Sequence, residues 1–442
     1  MKSEKISKKL LFAWPTKTAA ITILSMVVGY ISFFATDYLG LDVSTVGILF
    51  MASQMFDGIT DVFVGYLIDR TNTKLGKGRP YELALIGYVV CLILLFGAPQ
   101  MGIAETYIYV FVMYTLINAV FLTFLNCNDV VYMANVIDRP EDSVTLSAVC
   151  GFVSMVTAII AGVAIPQLVK SFGTSRHGWF VFSAVVSIPC ALLGMIRFVL
   201  IKEKHQAGAA QKKVSFKEMF KTIISNKYIL LFSLIILVNS TGSTFQQNSE
   251  TYYAQYIFGD VGTRSILSLA AFGMMLAMAI VPALTKRFGF VKTMKITTIL
   301  GLIGYIARLI NPSNLAYVVA CNIFSGLGFT VLVSFGNTFI IDCMDYGEWK
   351  TGVRSEGILA CAKNFTAKIG TGIGAGMIGI LLGFAGYDGT LAVQPTSANN
   401  MIIFLGAVMP AICCLIQLVI LHFYDLDDKI DDIRIELTAK KS

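Results

Sequence analysis

The chain has 442 residues, of which 56% are hydrophobic and only 14% are Asp, Glu, Lys or Arg. A soluble chain usually carries about 25% charged residues. This composition, with 31 Phe, 38 Gly and 18 Met, excludes a disordered chain, a nucleic-acid module and an ordinary soluble enzyme, and the net charge of +7 is judged by where it sits.

Met1 to Lys9 carries four Lys. The apolar run that follows is long enough to span a bilayer, so it is expected to be a first span and not a cleavable leader. A hydrocarbon core takes about 20 apolar residues as helix. Twelve such runs follow in chain order: 12–36, 45–68, 81–99, 106–134, 144–169, 178–200, 228–256, 264–284, 292–310, 315–341, 356–384 and 398–424. The longest polar break, 201–227, is rich in Lys, Gln and Gly. It divides the chain into residues 1–200, a linker 201–227, residues 228–424 and a tail 425–442. The expected fold class is an all-α membrane protein of twelve transmembrane helices in two six-helix halves, a recurrent transporter plan. The runs are continuous and do not alternate, which excludes a β-barrel.

Basic residues orient the spans. With the N-terminus inside, the inner segments hold 26 Lys and Arg, seven of them in the linker, and the outer segments hold only Lys170, Arg176, Arg264 and Arg308. Both termini are therefore expected in the cytoplasm, in a plasma membrane. Lys17, Arg197, Lys363 and Lys368 fall inside spans or at their rims. The loops are too short for a soluble domain, so function is expected within the membrane. The tail, with Asp425, Asp427, Asp428, Asp431 and Asp432, reads as an acidic solvated segment. Nine Cys, only Cys413 and Cys414 adjacent, show no metal or redox spacing and read as small buried apolar residues.

A charge at the bilayer centre costs at least ~2.5–3.5 kcal/mol, so such residues face the bundle interior or a watery cavity. Span two holds Gln54, Asp57 and Asp61. The two acids are four apart and share one helix face. Carboxylates that close repel unless a cation or proton sits between them, which leaves sodium and proton coupling both open. Span four adds Thr123, Asn126 and Asp129 at three-residue spacing. Asp129 has three readings: a solute contact, a partner for a lysine, or a protonation site. Span eleven holds Lys363, Asn364 and Lys368, and Lys368 is placed to reach a central cavity. The run Gly370, Gly372, Gly374, Gly376 reads as close helix packing. Span seven carries Gln246, Gln247 and Glu250 near Tyr252 and Tyr253, suited to a polyhydroxylated solute or to gating bonds. Between spans two and three stand Asp69, Arg70 and Arg79; between ten and eleven stand Asp345, Glu348 and Arg354. Both sets read as ion-pair gates. No Ser/His/Asp constellation is readable, so no enzyme activity and no cofactor are expected.

Asp57-Gly-Ile-Thr-Asp61, Gly65, Asp69 and Lys77-Gly-Arg-Pro80, with Asp345-Tyr-Gly-Glu-Trp-Lys-Thr-Gly352, Arg354, Glu356, Gly357, Lys368 and Gly386-Tyr387, form a pattern across both halves. It resembles the glycoside–pentoside–hexuronide:cation symporters, the melibiose permease group of the major facilitator superfamily. The resemblance implies the major facilitator fold and sodium-, proton- or lithium-coupled uptake of a sugar or glycoside by alternating access. By position it assigns Asp57, Asp61, Thr60 and Thr123 to the cation and Lys368 to the link between cation and sugar. The chain departs at the sugar side. Residues 10–36 hold no acid where melibiose permease has a sugar-binding aspartate. Its helix-four aspartate corresponds to Asn126, the usual following Pro-Tyr is Asn128-Asp129, an expected arginine is Cys150, and the helix-two arginine is Gln54. Asp129 and Lys363 are the expected replacements.

The leading expectation is a cation-coupled symporter of a sugar, glycoside or hexuronide, working as a monomer with membrane lipid and a small polar solute as its only partners. The alternatives are a transporter of a non-sugar polar or anionic solute, and a non-transporting membrane sensor.

Overall fold

The computed structural model describes residues 7–71, 73–137, 140–203, 226–270, 280–281, 283–285, 287–351, 356–427 and 429–441; for some helical residues, Asp69 and Arg70 among them, only the backbone is described. Apart from one isolated bridge between Thr73 and Gly76, the regular structure of the described residues is helical. In hydrocarbon each backbone polar group must be satisfied within its own segment, and a continuous apolar run does so only as a helix.

Among the described residues nine helices are long and apolar enough to cross a membrane: Lys8–Asp37, Arg79–Phe96, Ile103–Met133, Thr145–Phe172, Arg176–Leu200, Lys227–Ile257, Phe290–Arg308, Lys363–Phe384 and Thr396–His422. These coincide with nine of the twelve expected spans. The expected span 45–68 lies in a 28-residue helix that carries Asp57, Asp61 and Asp69. The expected span 315–341 is helical in two segments, Leu315–Ser325 and Leu327–Thr351. The expected span 264–284 opens with the helical turn Arg264–Leu267, and its residues 271–279 lie outside the described residues.

The chain packs as two compact units. One comprises Met1–Ala210, Gly259–Ser265 and Gly379–Gln394; the other comprises Gln211–Phe258, Ile266–Ile378 and Pro395–Ser442.

The first unit contains α1 (Lys8–Val28), α2 (Ile31–Asp37), α3 (Val43–Arg70), α4 (Ala84–Phe96), α5 (Ile103–Thr115), α6 (Thr123–Val136), α7 (Pro140–Phe172) and α8 (Arg176–Leu200). Asp42 starts α3 by accepting from the Thr45 N–H at 2.8 Å, and Ser175 caps α8 in the same manner. A wide π turn, Leu116–Leu122, joins α5 to α6. α1 packs against α7 and α8, and α3 against α5 and α6. The core is aromatic around fully buried Trp179, which meets Phe34, Phe96 and Phe182 at 5.3–5.6 Å between ring centres.

The second unit contains α9 (Lys227–Tyr252), α10 (Phe290–Arg308), α11 (Leu315–Ser325), α12 (Leu327–Thr351), α13 (Glu356–Phe384, to Ile378), α14 (Thr396–Ile403), α15 (Met409–His422) and α16 (Ile430–Lys441). The glycines of α13 act in packing. A Cβ on Gly370 would stand 2.5 Å from the Leu237 carbonyl, and one on Gly374 would stand 2.8 Å from Thr244 Cβ. The Thr241 hydroxyl donates to the Gly370 carbonyl at 3.0 Å, so α9 and α13 touch backbone to side chain.

The tail corrects the sequence reading. It is not a solvated acidic segment: Leu426, Ile430 and Ile433 are buried with Phe232, Phe339 and Tyr424 in the core of the second unit. Two of its acids have structural partners. Asp427 accepts from the Val291 N–H at 2.7 Å at the start of α10, and Asp425 accepts from the Tyr228 hydroxyl at 2.9 Å. Composition shows the acids but not the apolar residues spaced at three and four between them.

Candidate functional site

Asp57 is 5% exposed in the middle of α3. Its Oδ1 accepts from the Thr123 hydroxyl at 2.6 Å, and the Thr60 hydroxyl lies 3.5 Å away while donating to the Asp57 carbonyl at 2.9 Å. Thr123 also lies 3.2 Å from the Asn118 carbonyl, five residues back, at the point where the π turn ends. A π turn re-aims backbone and side chains and recurs at functional sites. Asp61 is half-buried one helical turn beyond Asp57. Among the described residues no third His, Cys, Asp or Glu joins this pair to make a metal group. Further oxygens here belong to Thr60, Thr123 and the Asn118 carbonyl, the hard neutral donors that suit an alkali cation. Gln54 turns from this cluster and donates to the Tyr114 hydroxyl at 3.3 Å; Tyr114 stacks on Phe50 at 3.9 Å. Asn126 is exposed.

A second cluster joins four helical segments of the same unit. Lys17 of α1 donates to Glu82 at 3.1 Å and to Asp129 of α6 at 2.8 Å. Arg197 of α8 reaches Glu82 at 2.7 and 2.5 Å, and Asp129 at 2.5 Å. Asn128 donates to Glu82 at 2.8 Å, and Lys17 also donates to the Leu125 carbonyl at 2.9 Å. The guanidinium of Arg197 lies over Trp14, 4.5 Å from the ring centre. Two cations and two anions cancel, which is how Lys17, Arg197 and Glu82 can stay sealed from water while Asp129 is half-buried. Gly78 seats the preceding loop on α6. A Cβ there would meet Asn128 Oδ1 at 2.7 Å and the Tyr132 backbone at 3.1 Å.

In the second unit the polar face of α9 engages its own neighbours. Tyr305 donates to Gln246 at 2.6 Å, and Asn322 donates to Glu250 at 3.5 Å. Arg308, fully buried, donates to Asn322 and to the Gly406 carbonyl at 3.2 Å each and lies 4.1 Å over Tyr253. Gln247 is exposed. On α13, Lys363 and Lys368 are half-buried and Asn364 is exposed.

The residues expected to form ion-pair gates take these positions. Arg79 donates to the Phe198 carbonyl at 3.1 Å, and its backbone N–H, with that of Gly78, donates to the Glu203 carboxylate at 2.9 and 2.8 Å. Asp345 pairs with Arg434 of α16 at 2.9 Å, and the same guanidinium takes Asp342 at 2.8 Å. Glu348 is half-buried. The side chains of Asp69 and Arg70, and Arg354 as a whole, lie outside the described residues.

Sequence reasoning missed Glu82, Arg308 and Arg434. A signal was present for the first. Lys17, Arg197, Glu82 and Asp129 are charges in or beside apolar runs, and their signs balance. Nothing local distinguishes Arg434 from a solvated tail residue.

A family model described as MFS/sugar transport protein matches residues 16–428. The isoprimeverose transporter of Lactiplantibacillus pentosus is 29% identical over 411 residues, covering 91% of this chain and 85% of that protein. The inner membrane symporter YicJ of Escherichia coli (strain K12) is 25% identical over 429 residues, covering 96% and 93%. The glucuronide carrier protein homolog of the same organism is 24% identical over 430 residues, covering 92% and 90%. Among solved structures, the nucleoside transporter NupG aligns with a TM-score of 0.66 at 14% identity, covering 92% of this chain and 98% of that one. A bacterial homolog of the human lysosomal transporter Spinster, inward-facing and unoccupied, aligns with a TM-score of 0.66 at 13% identity, covering 97% and 98%. At those identities the likeness is one of fold. This is a multi-spanning, all-α secondary transporter of a small polar solute, acting by alternating access and not by catalysis. The chain belongs to the MFS/sugar transport protein family.

Proposed function

We propose that the protein is a cation-coupled symporter of a sugar or glycoside, of the glycoside–pentoside–hexuronide:cation type, built from twelve spans in two halves and working as a monomer with both termini in the cytoplasm. The observation that carries the reading is the Thr123 hydroxyl on the buried Asp57 carboxylate, with Thr60 and the Asn118 carbonyl beside it. A buried carboxylate surrounded by neutral oxygen donors has the chemistry to hold sodium or a proton. The isoprimeverose transporter and the glucuronide carrier homolog support a sugar as the solute by their similarity.

In this mechanism the cation offsets one negative charge of the Asp57 and Asp61 pair, relieves their repulsion and draws α3 and α6 together. Solute then binds, and the transporter exposes both sites to the other face. Each ligand must raise the other's affinity by the same factor. The residues proposed for the cation are Asp57, Asp61, Thr60 and Thr123. Those proposed for the solute path are Asn126, Asp129, Lys363 and Lys368.

The test is uptake of labelled neutral glycosides, pentosides and glucuronides into proteoliposomes under an inward sodium gradient, repeated with a proton gradient alone. Accumulation that disappears in Asp57→Asn is the expected result. Folded protein that moves none of these sugars under either gradient overturns the reading.

A further inference from the structure

Thr123 stands where the π turn Leu116–Leu122 ends and α6 begins. Its hydroxyl is within hydrogen-bonding distance of two acceptors, Asp57 Oδ1 at 2.6 Å and the Asn118 carbonyl at 3.2 Å. A hydroxyl carries one hydrogen and two lone pairs, so its hydrogen serves one acceptor at a time. The short distance assigns it to Asp57. Thr60 shows the other arrangement: its hydrogen goes to the Asp57 backbone carbonyl at 2.9 Å, and its oxygen stands 3.5 Å from Asp57 Oδ1.

The second acceptor of Thr123 is there because of the π turn. In an α-helix a threonine hydroxyl finds the carbonyl three or four residues back. The Asn118 carbonyl is five residues back, the spacing of a π ladder. Asn118 is 8% exposed, and its Nδ2 donates to the Tyr114 carbonyl at 3.1 Å, one turn earlier in α5. That stretch of α5 is itself fastened to α3, because Tyr114 stacks on Phe50 and the Thr115 hydroxyl donates to Ser53 at 3.0 Å. Asn118 thus ties the turn to α5 through its side chain and presents its carbonyl to Thr123.

We propose that Asn118 is a positioning residue of the cation site: its carbonyl receives the Thr123 hydrogen when an alkali cation arrives, which turns that hydroxyl from a donor to Asp57 into a ligand. The proposal rests on the symport reading above. An alkali cation takes lone pairs, so a hydroxyl still donating to Asp57 would meet it with its hydrogen. Rotation about the Thr123 Cβ–Oγ1 bond moves the hydrogen from Asp57 to Asn118. No covalent bond breaks and no proton leaves. Asp57 exchanges a hydrogen-bond donor for the cation, and the buried hydroxyl hydrogen keeps an acceptor throughout. Thr123 then matches Thr60, with hydrogen on backbone and lone pairs on the cation.

The test uses the full-length protein, with sodium chloride against choline chloride. Sodium is expected to activate sugar uptake into proteoliposomes and to raise the melting temperature of the wild type in detergent. Asn118→Leu removes the amide that ties down the turn. It is expected to raise the sodium concentration for half-maximal uptake about tenfold, with the sugar KM at saturating sodium changed by less than about twofold. A merely structural role would lower the yield and the melting temperature in choline and leave the sodium titration alone. Asn118→Ser keeps a donor that can reach the carbonyl four residues back and should recover most of the sodium response. The carbonyl itself is read by infrared difference spectra, sodium minus choline, of protein labelled with asparagine carrying carbon-13 in its backbone carbonyl. A labelled carbonyl band that shifts with sodium is expected in the wild type and absent from Asn118→Ser, which has no label at that position. The same labelled bands in both proteins overturn the hydrogen transfer. An unchanged sodium titration in folded Asn118→Leu overturns the positioning role while leaving symport intact. A wild type that sodium neither activates nor stabilises removes the sodium site, and the proposal falls with it.

Discussion

The Thr123 hydroxyl donates to Asp57 Oδ1 at 2.6 Å, joining α6 to α3 at a point where both side chains are buried. A hydroxyl in that position occupies one face of the carboxylate and brings a second oxygen within reach of any cation bound there. In the proposed cation site, removing it deletes one ligand and leaves the other oxygens standing. Thr123→Ala is therefore expected to raise the sodium concentration for half-maximal uptake about tenfold, equivalent to roughly 1.4 kcal/mol. Thr123→Ser, which keeps the oxygen, should lie close to the wild type. Coincident sodium titrations for the alanine and wild-type proteins would remove Thr123 from the cation site.

The helical spans and the two acids of α3 were legible because their signals are local. Apolar runs dictate helices where water is absent, and Asp57 and Asp61 share a face by spacing alone. Asp129 was legible as an anomaly but not as a role, because its partners Lys17 and Arg197 lie 112 and 68 residues away. The same limit hid Glu82. The π turn at Leu116–Leu122 left no mark in Leu-Ile-Asn-Ala-Val-Phe-Leu, which reads as ordinary helix. The tail was misread because its five acids dominated its composition, while Ile430 and Ile433 set its docking.

The buried quartet carries a stability prediction of its own. Glu82 is the acid that both cations share most fully. Losing it strands two buried positive charges on a single carboxylate, and breaking a buried pair in this way costs about 3–5 kcal/mol. Glu82→Ala should melt well below the wild type in detergent. The double variant Glu82→Gln, Arg197→Met removes one charge of each sign and should recover much of the loss. Equal melting of the single and double variants would contradict the pairing.

Close approach of α9 and α13 makes a separate demand. Gly370 leaves its Cβ position 2.5 Å from the Leu237 carbonyl and 2.9 Å from Ser240 Cβ. Backbone on the far side cannot yield as a flexible side chain would. Gly370→Val is expected to lower the melting temperature and the yield of monodisperse protein, whereas Gly386→Ala, with open space around it but a positive φ of 77°, tests backbone strain without a packing clash. If Gly370→Val melts like the wild type, the two helices do not meet at that residue.

Asp342 lies beyond the end of the expected span 315–341, where the tail covers it. Burial pushes its carboxyl up to about 6 from an ordinary 3.8; Arg434 pulls against that shift, and Asp427 and Asp345 add to it. The raised value has a definite sign. Between about pH 4 and pH 6 the folded chain holds a proton that the unfolded chain has released, so the contribution of this group is complete below 3.8 and is lost as pH rises through about 6. Wild-type protein should therefore lose melting temperature relative to Asp342→Asn as pH goes from 4 to 7. Arg434→Ala removes the guanidinium that pulls the carboxyl down by both its charge and its hydrogen bond, so its transition should move to higher pH. The Arg434 side chain is 43% accessible, which screens the pair and limits the overall cost of Arg434→Ala to about 1 kcal/mol. Parallel melting curves for wild type and Asp342→Asn across that range would show that Asp342 is not held in the buried state described here, and the docked position of α16 would have to be abandoned with it.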